Sequence, residues 1–519
     1  MKSSTTHPTV AELLDSFTDA APERRDARYG RLVGALWNDG ALTGLALPAV
    51  PALVARLEEV DDGLRGYLAV LLGLLAEAEF PATDGEVSAA VRRGLDLYLD
   101  LLGRGANGQP STLALLYLLA HFPGDRERVL AVAEKLSLDQ EDLTRTDRIL
   151  RRPDRDNPDL GRVWPSPSVW ALDDGERDFD QAWIRELSDA QFLRNWQNDT
   201  RTLMGHSGAK AYWAVLNGPP KVVATPSVPA GETLRAASTG SGAELFARHA
   251  DAFRCPNCHG PLSFGGDGDG GVRCAGCDTA FPIANGILDL FPGTRGSEVA
   301  DDVTADLLQK LAAMPTMGLY YEAVLRPAFL RAIGSNWGGA VTLADEDAHI
   351  AEHVSPVDGP VLDLGAGAGR WTAVLAEAVG AERVIALDVG VPMLTALRAR
   401  LPRVPAILGS GGTLPFGDAT LGAAMCWNAL QAFPDEAAAA IAEVGRCLRP
   451  GGTFTLMTFR WSPDPVYRHF QRGHHFPNHE DGLRLLELDD VRTWLAEAGM
   501  TVRAESGPGT FVFVTAERT

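Results

Sequence analysis

Cysteine is scarce, with six residues in 519. Four form two close pairs, Cys255/Cys258 and Cys274/Cys277, while Cys426 and Cys447 stand apart. That usage excludes a secreted disulfide framework. Basic charge is also short: 47 Lys and Arg stand against 68 Asp and Glu, for a net charge of −21. Acidic residues outnumber basic ones on both sides of residue 250. The electrostatic footprint of a nucleic-acid binder is therefore missing, although a local basic patch can sit inside an acidic total. Long apolar runs are absent as well. The most apolar stretches, 67–76 and 113–120, reach about half of the ~20 residues a membrane span needs, and they read as buried helices. The opening MKSSTTHPTVAELLDSF has no apolar signal core. The expectation is a cytoplasmic protein without a membrane partner.

What is present is ordinary globular material: 45% hydrophobic and 22% charged residues, with mean hydropathy −0.04. At roughly 150 residues per domain, this length implies about three or four cores. Residues 1–217 read as an α-helical domain, with apolar residues spaced by three and four along 50–59, 63–79, 87–102 and 111–122. The stretch PAVPALVARLEEVDDGLRGYLAVLLGLLAEAE looks like a helix pair of a HEAT-like array. Three copies do not align, so a plain helical bundle stays open. Trp164, Trp170, Trp183, Trp196 and Trp213 crowd the end of this region. Such a cluster serves as a recognition surface or as aromatic plugs of a loop-rich segment. Residues 218–250 read as a linker, rich in Pro, Gly, Ser and Thr.

Cys255-Pro-Asn-Cys258 and Cys274-Ala-Gly-Cys277 are two CxxC knuckles. A tight CxxC turn aims two thiolates at one centre, and two such turns make the tetrahedral S₄ set that Zn²⁺ prefers. Four thiolate ligands leave no position for water, so the expected zinc is structural. The intervening GGDGDGG reads as a hairpin tip, and His259 has no vacancy to fill. The exit, CDTAFPIANGILDLFP, resembles a short zinc-ribbon module fused to, or partnered with, many bacterial methyltransferases. Phe281, Pro282, Ile283, Asn285, Gly286 and Ile287 carry the resemblance, and the expected ribbon spans 251–293. A related ribbon precedes the catalytic domain of bacterial ribosomal-RNA guanine methyltransferases.

Downstream, Val361-Leu-Asp363-Leu-Gly365-Ala-Gly367-Ala-Gly369-Arg is an apolar strand running into a glycine-rich turn and a helix. Glycines there let the backbone close on a ligand. A second strand, Val384-Ile-Ala-Leu-Asp388, ends in an acid placed to bond a ribose diol. Gly409-Ser410-Gly-Gly-Thr-Leu-Pro-Phe-Gly-Asp418, a strand ending at Asn428, and Leu448-Arg-Pro-Gly-Gly452 follow. This ordered set resembles the class I S-adenosylmethionine-dependent methyltransferases. The resemblance implies an α/β Rossmann-like domain over 300–519 with that cofactor. Asp363, Gly365, Gly367 and Gly369 would approach its methionine and ribose part. Asp388 would take the ribose hydroxyls, and Val389 would border the adenine. Ser410, where the family commonly has an acid, and Asn428 complete the implied cofactor set.

The acceptor is less legible. Methyl transfer is an in-line displacement that needs alignment more than acid–base chemistry. Trp427-Asn428-Ala429-Leu430-Gln431 lacks the N-P-P-[YF] tetrad used on exocyclic and amide nitrogens, and Gln431 stands where many small-molecule enzymes have His. If a base exists, His469, His474 or His475 is the choice, from the run Tyr467–His479 with its four histidines. Tyr320, Tyr321 and Arg326 fall on a helix that in related enzymes closes over the cofactor. Tyr321 joins the catalytic candidates.

The sequence thus reads as a multidomain chain: a helical N-terminal domain, a small zinc ribbon and a C-terminal Rossmann-like domain. The leading expectation is methylation of an O or N atom of a specialised metabolite or modified peptide in natural-product biosynthesis. An RNA base methyltransferase that uses the ribbon for recognition is one alternative. The other is action on a carrier- or protein-bound substrate docked by the helical domain.

Overall fold

The computed structural model describes residues 8–82, 85–154, 174–221, 243–264, 271–291, 321–475 and 483–519. Most of the expected linker, the hairpin tip at 265–270, Trp164, Trp170, Tyr320, His479 and the start of the helical stretch near 300 lie outside the described residues. The chain divides into two units. One comprises Met1–Trp164, Ile184–Val223 and Ser462–Leu483; the other comprises Pro165–Trp183, Ala224–Trp461 and Arg484–Thr519.

The first unit is helical. Local chemistry starts its helices. Thr9 and Glu12 form a capping box before Val10–Thr18, Asp61 accepts from the Leu64 amide at 3.0 Å ahead of Asp62–Glu77, and proline opens Pro22–Leu36 and Pro110–Leu119. The two apolar runs fall on Asp62–Glu77 and Pro110–Leu119, and both are buried. The helices approach closely because Gly73 has no side chain: a methyl there would fall 2.3 Å from the Tyr117 ring. One two-residue hairpin, β1 (Trp37–Asn38) with β2 (Ala41–Leu42), interrupts the helices. No described helix is long and apolar enough to cross a membrane.

Residues 462–483 also belong to the helical unit, whereas the sequence reading assigned them to the 300–519 domain. Their helix, Pro465–Arg472, is capped by Asp464, which accepts from the Val466 and Tyr467 amides. Phe470 packs edge-on to Tyr117 (5.4 Å) and lies so close to Gly208 that a methyl on Gly208 would sit 2.2 Å from its ring. Tyr212 donates to Asp464 at 2.8 Å.

The second unit is built on a nine-stranded sheet. Its strands are β6 (Ile283–Ala284), β7 (Ile287–Asp289), β8 (Val361–Leu364), β9 (Val384–Asp388), β10 (Ala406–Leu408), β11 (Leu421–Trp427), β12 (Leu448–Phe459), β13 (Met500–Ser506) and β14 (Phe511–Arg518). Their order is β13-β14-β12-β11-β8-β9-β10-β7-β6. The middle, from β12 to β7, is parallel, with β6, β13 and β14 antiparallel to their neighbours. β8 and β11 are buried at every position, as expected for parallel strands covered on both faces. After β8 the chain steps outward through β9 to β10, then returns to β11 on β8's other side. Such a reversal opens a crevice beyond the carboxyl ends of β8 and β11.

The ribbon is not a free-standing module. Its own sheet, β3 (Leu262–Phe264), β4 (Val272–Cys274) and β5 (Ala280–Phe281), leads into the β6–β7 hairpin, and β7 pairs with β10, Ile287 opposite Ala406. Asn285 and Gly286 close that hairpin with φ of 53° and 73°, the two-residue turn that an Asn-Gly pair favours. On the entry side, Arg254 donates to Pro415 O (2.9 Å), Gly417 donates to Ala252 O (2.8 Å), and Phe253 stacks on Phe416. Ribbon residues Phe253, Cys255, Val272 and Phe281 therefore share one core with Ile407, Leu414 and Phe416.

Candidate cofactor and metal sites

The glycine loop between β8 and helix Arg370–Val379 explains its own composition. Gly365, Gly367 and Gly369 all have positive φ, at 73°, 54° and 86°. A methyl on Gly365 would lie 2.4 Å from Ala429 Cβ, and one on Gly369 would lie 2.9 Å from Leu397 Cγ. On Gly367 it would meet nothing within 4 Å, so this glycine presents open backbone.

Asp388 ties the loop to its neighbour. The Gly367 amide donates to Oδ2 and the Gly390 amide to Oδ1, each at 2.8 Å. Burial raises the Asp388 pKa, and these amides oppose the rise. Asp363 is buried deeper and accepts from the Thr372 hydroxyl at 2.6 Å. Desolvation pushes it up to about 7, with Thr372 opposing the rise and the charge of Asp388 adding to it. Val389, directly after Asp388, is 65% exposed. An open glycine face, a strand-end carboxylate and an exposed apolar side chain are the complement of a nucleoside with a charged tail, and they fit S-adenosylmethionine. Ser410 turns into its own loop, its hydroxyl accepting from the Gly412 amide at 3.1 Å.

Asn428, at the end of β11, donates through Nδ2 to the Tyr321 hydroxyl at 2.8 Å, so these two expected residues are brought together. Burial raises the Tyr321 pKa, which keeps it a phenol at neutral pH and unsuited to act as a base there. Arg326 forms a buried ion pair with Glu346, lies 3.9 Å over the Trp371 ring, and Trp427 Nε1 donates to the same carboxylate at 2.8 Å. Sequence reasoning missed Thr372 and Glu346. Thr372 lies on the helix that follows the loop, where a hydroxyl facing the strand-end acid is a usable signal. Glu346 reads from sequence as an ordinary helix-surface acid.

His469, His474 and His475 are in the helical unit, not in the unit that carries the glycine loop. His469 Nε2 lies 3.1 Å from Glu77, and its ring stands edge-on to Trp37. Tyr117 donates to the same carboxylate, and His121 lies 3.5 Å from it. The two imidazoles help hold Glu77 well below the usual carboxylate range despite its burial. His474 and His475 are buried, and the His475 amide donates to Thr202 at 3.0 Å. These contacts place the three candidate bases among side chains of the helical unit.

Cys255, Cys258, Cys274 and Cys277 converge, with all four sulfurs within 4.8 Å of one another. The Cys255–Cys277 and Cys258–Cys274 separations are 3.7 and 3.4 Å. A tetrahedron with Zn–S bonds of ~2.3 Å has edges of about 3.8 Å, so the cluster fits that ion. The knuckles repeat one geometry: the His259 amide bonds Cys255 O and the Asp278 amide bonds Cys274 O, and both residues have φ of 57°. Gly260 and Gly276 pack on the sulfurs, where a methyl on either would lie 3.3 Å from Cys258 Sγ.

Residues 361–452 match a family described as the methyltransferase domain. They are a methyltransferase domain. An uncharacterised methyltransferase of Mycobacterium bovis is 42% identical over 100 residues, which cover 19% of this chain and 38% of that protein. A demethylmenaquinone methyltransferase of Corynebacterium kroppenstedtii is 40% identical over 107 residues, 21% of this chain and 44% of the relative. A malonyl-[acyl-carrier protein] O-methyltransferase of Methylococcus capsulatus is 33% identical over 110 residues, 21% and 40%. The chain thus spans less than half the length of these relatives. The methyltransferase domain is of the class I, S-adenosylmethionine-dependent type.

Proposed function

We propose that this protein transfers a methyl group from S-adenosylmethionine to an O or N atom of a small organic molecule or modified peptide. The observation that carries the reading is the strand-end cradle: open Gly367, Asp388 bridging two loops, and Asp363 buried beneath them. In this reading Asp388 takes the ribose hydroxyls, Val389 borders the adenine, and Asp363 with the glycine loop faces the methionine end. The cofactor, when bound, supplies an electrophilic methyl on its sulfonium. The chain supplies alignment, an effect worth ~7–11 kcal/mol in well-oriented systems. Four thiolates hold a structural zinc and leave no coordination position for substrate.

The acceptor class is supported by charge and by kinship. A net charge of −21 is poor material for the phosphate contacts an RNA enzyme needs. Two of the relatives are named for demethylmenaquinone and for a malonyl carrier protein. The test is transfer of tritium from methyl-labelled S-adenosylmethionine by the zinc-loaded protein. RNA, protein and small-molecule fractions of an extract lacking the active enzyme are offered separately. Label in the small-molecule or peptide fraction is the expected result, and label confined to RNA overturns the acceptor class.

A further inference from the structure

A chain of buried amides and hydroxyls runs from β12 to Tyr321, and simple chemistry fixes its direction. The Asn428 backbone carbonyl can only accept. The Gln431 atom 2.8 Å from it is therefore the amide nitrogen, which also lies 3.3 Å from Asn428 Oδ1. Gln431 Oε1 faces the other way and accepts from the Thr458 hydroxyl at 3.0 Å. With Asn428 Oδ1 on the receiving side, its Nδ2 is the atom that meets the Tyr321 oxygen, and it must donate. The Tyr321 hydrogen is thereby directed away from Asn428. Gln431 and Thr458 are both buried, and Asn428 is held at φ 56°, a conformation that costs energy outside glycine.

The chain ends over the glycine loop. Ala429, next to Asn428, abuts Gly365. Glu322, next to Tyr321, pairs with Arg400 at 2.7 and 3.0 Å, and Arg400 donates to Ala368 O at 3.2 Å. The methionine end of S-adenosylmethionine carries an ammonium, a sulfonium and a carboxylate, and of these only the carboxylate accepts a hydrogen bond. We propose that Gln431 and Thr458 are positioning residues which, through Asn428, turn the Tyr321 hydroxyl outward as a donor to the cofactor's carboxylate. The proposal rests on the cofactor reading above. It gives Gln431 a purpose other than that of a missing base.

Two nucleosides test it by calorimetry on the full, zinc-loaded chain. S-adenosylhomocysteine carries the amino-acid end; 5′-methylthioadenosine lacks it. Tyr321→Phe is expected to weaken S-adenosylhomocysteine about tenfold, as for loss of a hydrogen bond to a charged group, and to leave 5′-methylthioadenosine unchanged. Thr458→Val, close in volume but without the hydroxyl, is expected to weaken S-adenosylhomocysteine to a smaller degree, and Thr458→Ser to restore it. Unchanged S-adenosylhomocysteine binding by Tyr321→Phe overturns the proposal, as does an equal loss for both nucleosides. A parent protein that binds neither nucleoside overturns the cofactor reading itself.

Discussion

Asp363 and Asp388 end adjacent strands, yet their surroundings load them differently. Asp388 receives two loop amides, whereas Asp363 has the Thr372 hydroxyl against full burial and rises to about 7. A raised carboxyl keeps its proton in the folded state after the unfolded chain has lost it. Its ionisation therefore costs stability progressively as pH climbs from 3.8 toward 7, at about 1.4 kcal/mol per pH unit. Asp363→Asn removes that cost. In urea unfolding, the stability difference between variant and parent is expected to move in the variant's favour across that window and level off above it. A difference that does not change with pH would mean the folded state keeps Asp363 ionised throughout. For Asp388→Asn, one oxygen that faces an amide becomes a donor facing a donor. S-adenosylhomocysteine affinity is expected to fall at least about tenfold, as for loss of a charge-assisted hydrogen bond, and retained affinity would remove Asp388 from the ribose role.

At the scale of elements, the ribbon and the sheet are joined at both ends of the ribbon. β7 extends the sheet beside β10, and residues 252–254 pair with 415–417. Because Phe253 and Phe281 share a core with Ile407 and Phe416, metal loss is expected to reach the methyltransferase domain. The purified chain should contain one zinc. Chelation or Cys258→Ser should lower the melting temperature by several degrees, roughly the effect of losing 2–3 kcal/mol in a domain of this size. An unchanged melting curve after verified zinc removal would show that the ribbon folds without metal. In the helical unit, Gly208 reverses a familiar rule. Gly→Ala in a helix interior normally stabilises by about 1 kcal/mol. Here the added methyl would fall 2.2 Å from the Phe470 ring, so Gly208→Ala is expected to destabilise by about 1–3 kcal/mol in urea unfolding.

For the molecule as a whole, each unit is assembled from stretches far apart in the sequence. The backbone leaves the sheet unit after Trp461, adds the helix Pro465–Arg472 to the helical unit, and is back in the sheet unit at Arg484. Val466, Tyr467 and Phe470 on that stretch are buried, and Phe470 packs against Tyr117 and Tyr212, on helices far earlier in the chain. A chain lacking residues 1–217 is therefore expected to expose this segment, and trypsin should cut it at Arg468 or Arg472 far faster than in the full chain. Equal resistance in both chains would show that the segment holds its fold without the helical unit.

Much of this was legible in the sequence, for a consistent reason. The CxxC turns, the three positive-φ glycines, the strand-end acids and the capped helices are local features, each set by a few neighbouring residues. Spacing and residue type alone determined the four-sulfur cluster, the glycine loop and the order of strands after it. What only the tertiary structure decided was pairing over long separations. The place of 462–483, the joining of β7 to β10, the burial of Glu346 and the Gln431–Thr458 bond all belong to this class. None leaves a periodic trace, because a hydrogen bond or a ring contact between distant residues depends on where the backbone brings them. His469, His474 and His475 are candidate bases on residue type alone. Their chemistry is written in the side chains, but whether they face a substrate or the inside of a helical bundle is decided by the fold around them.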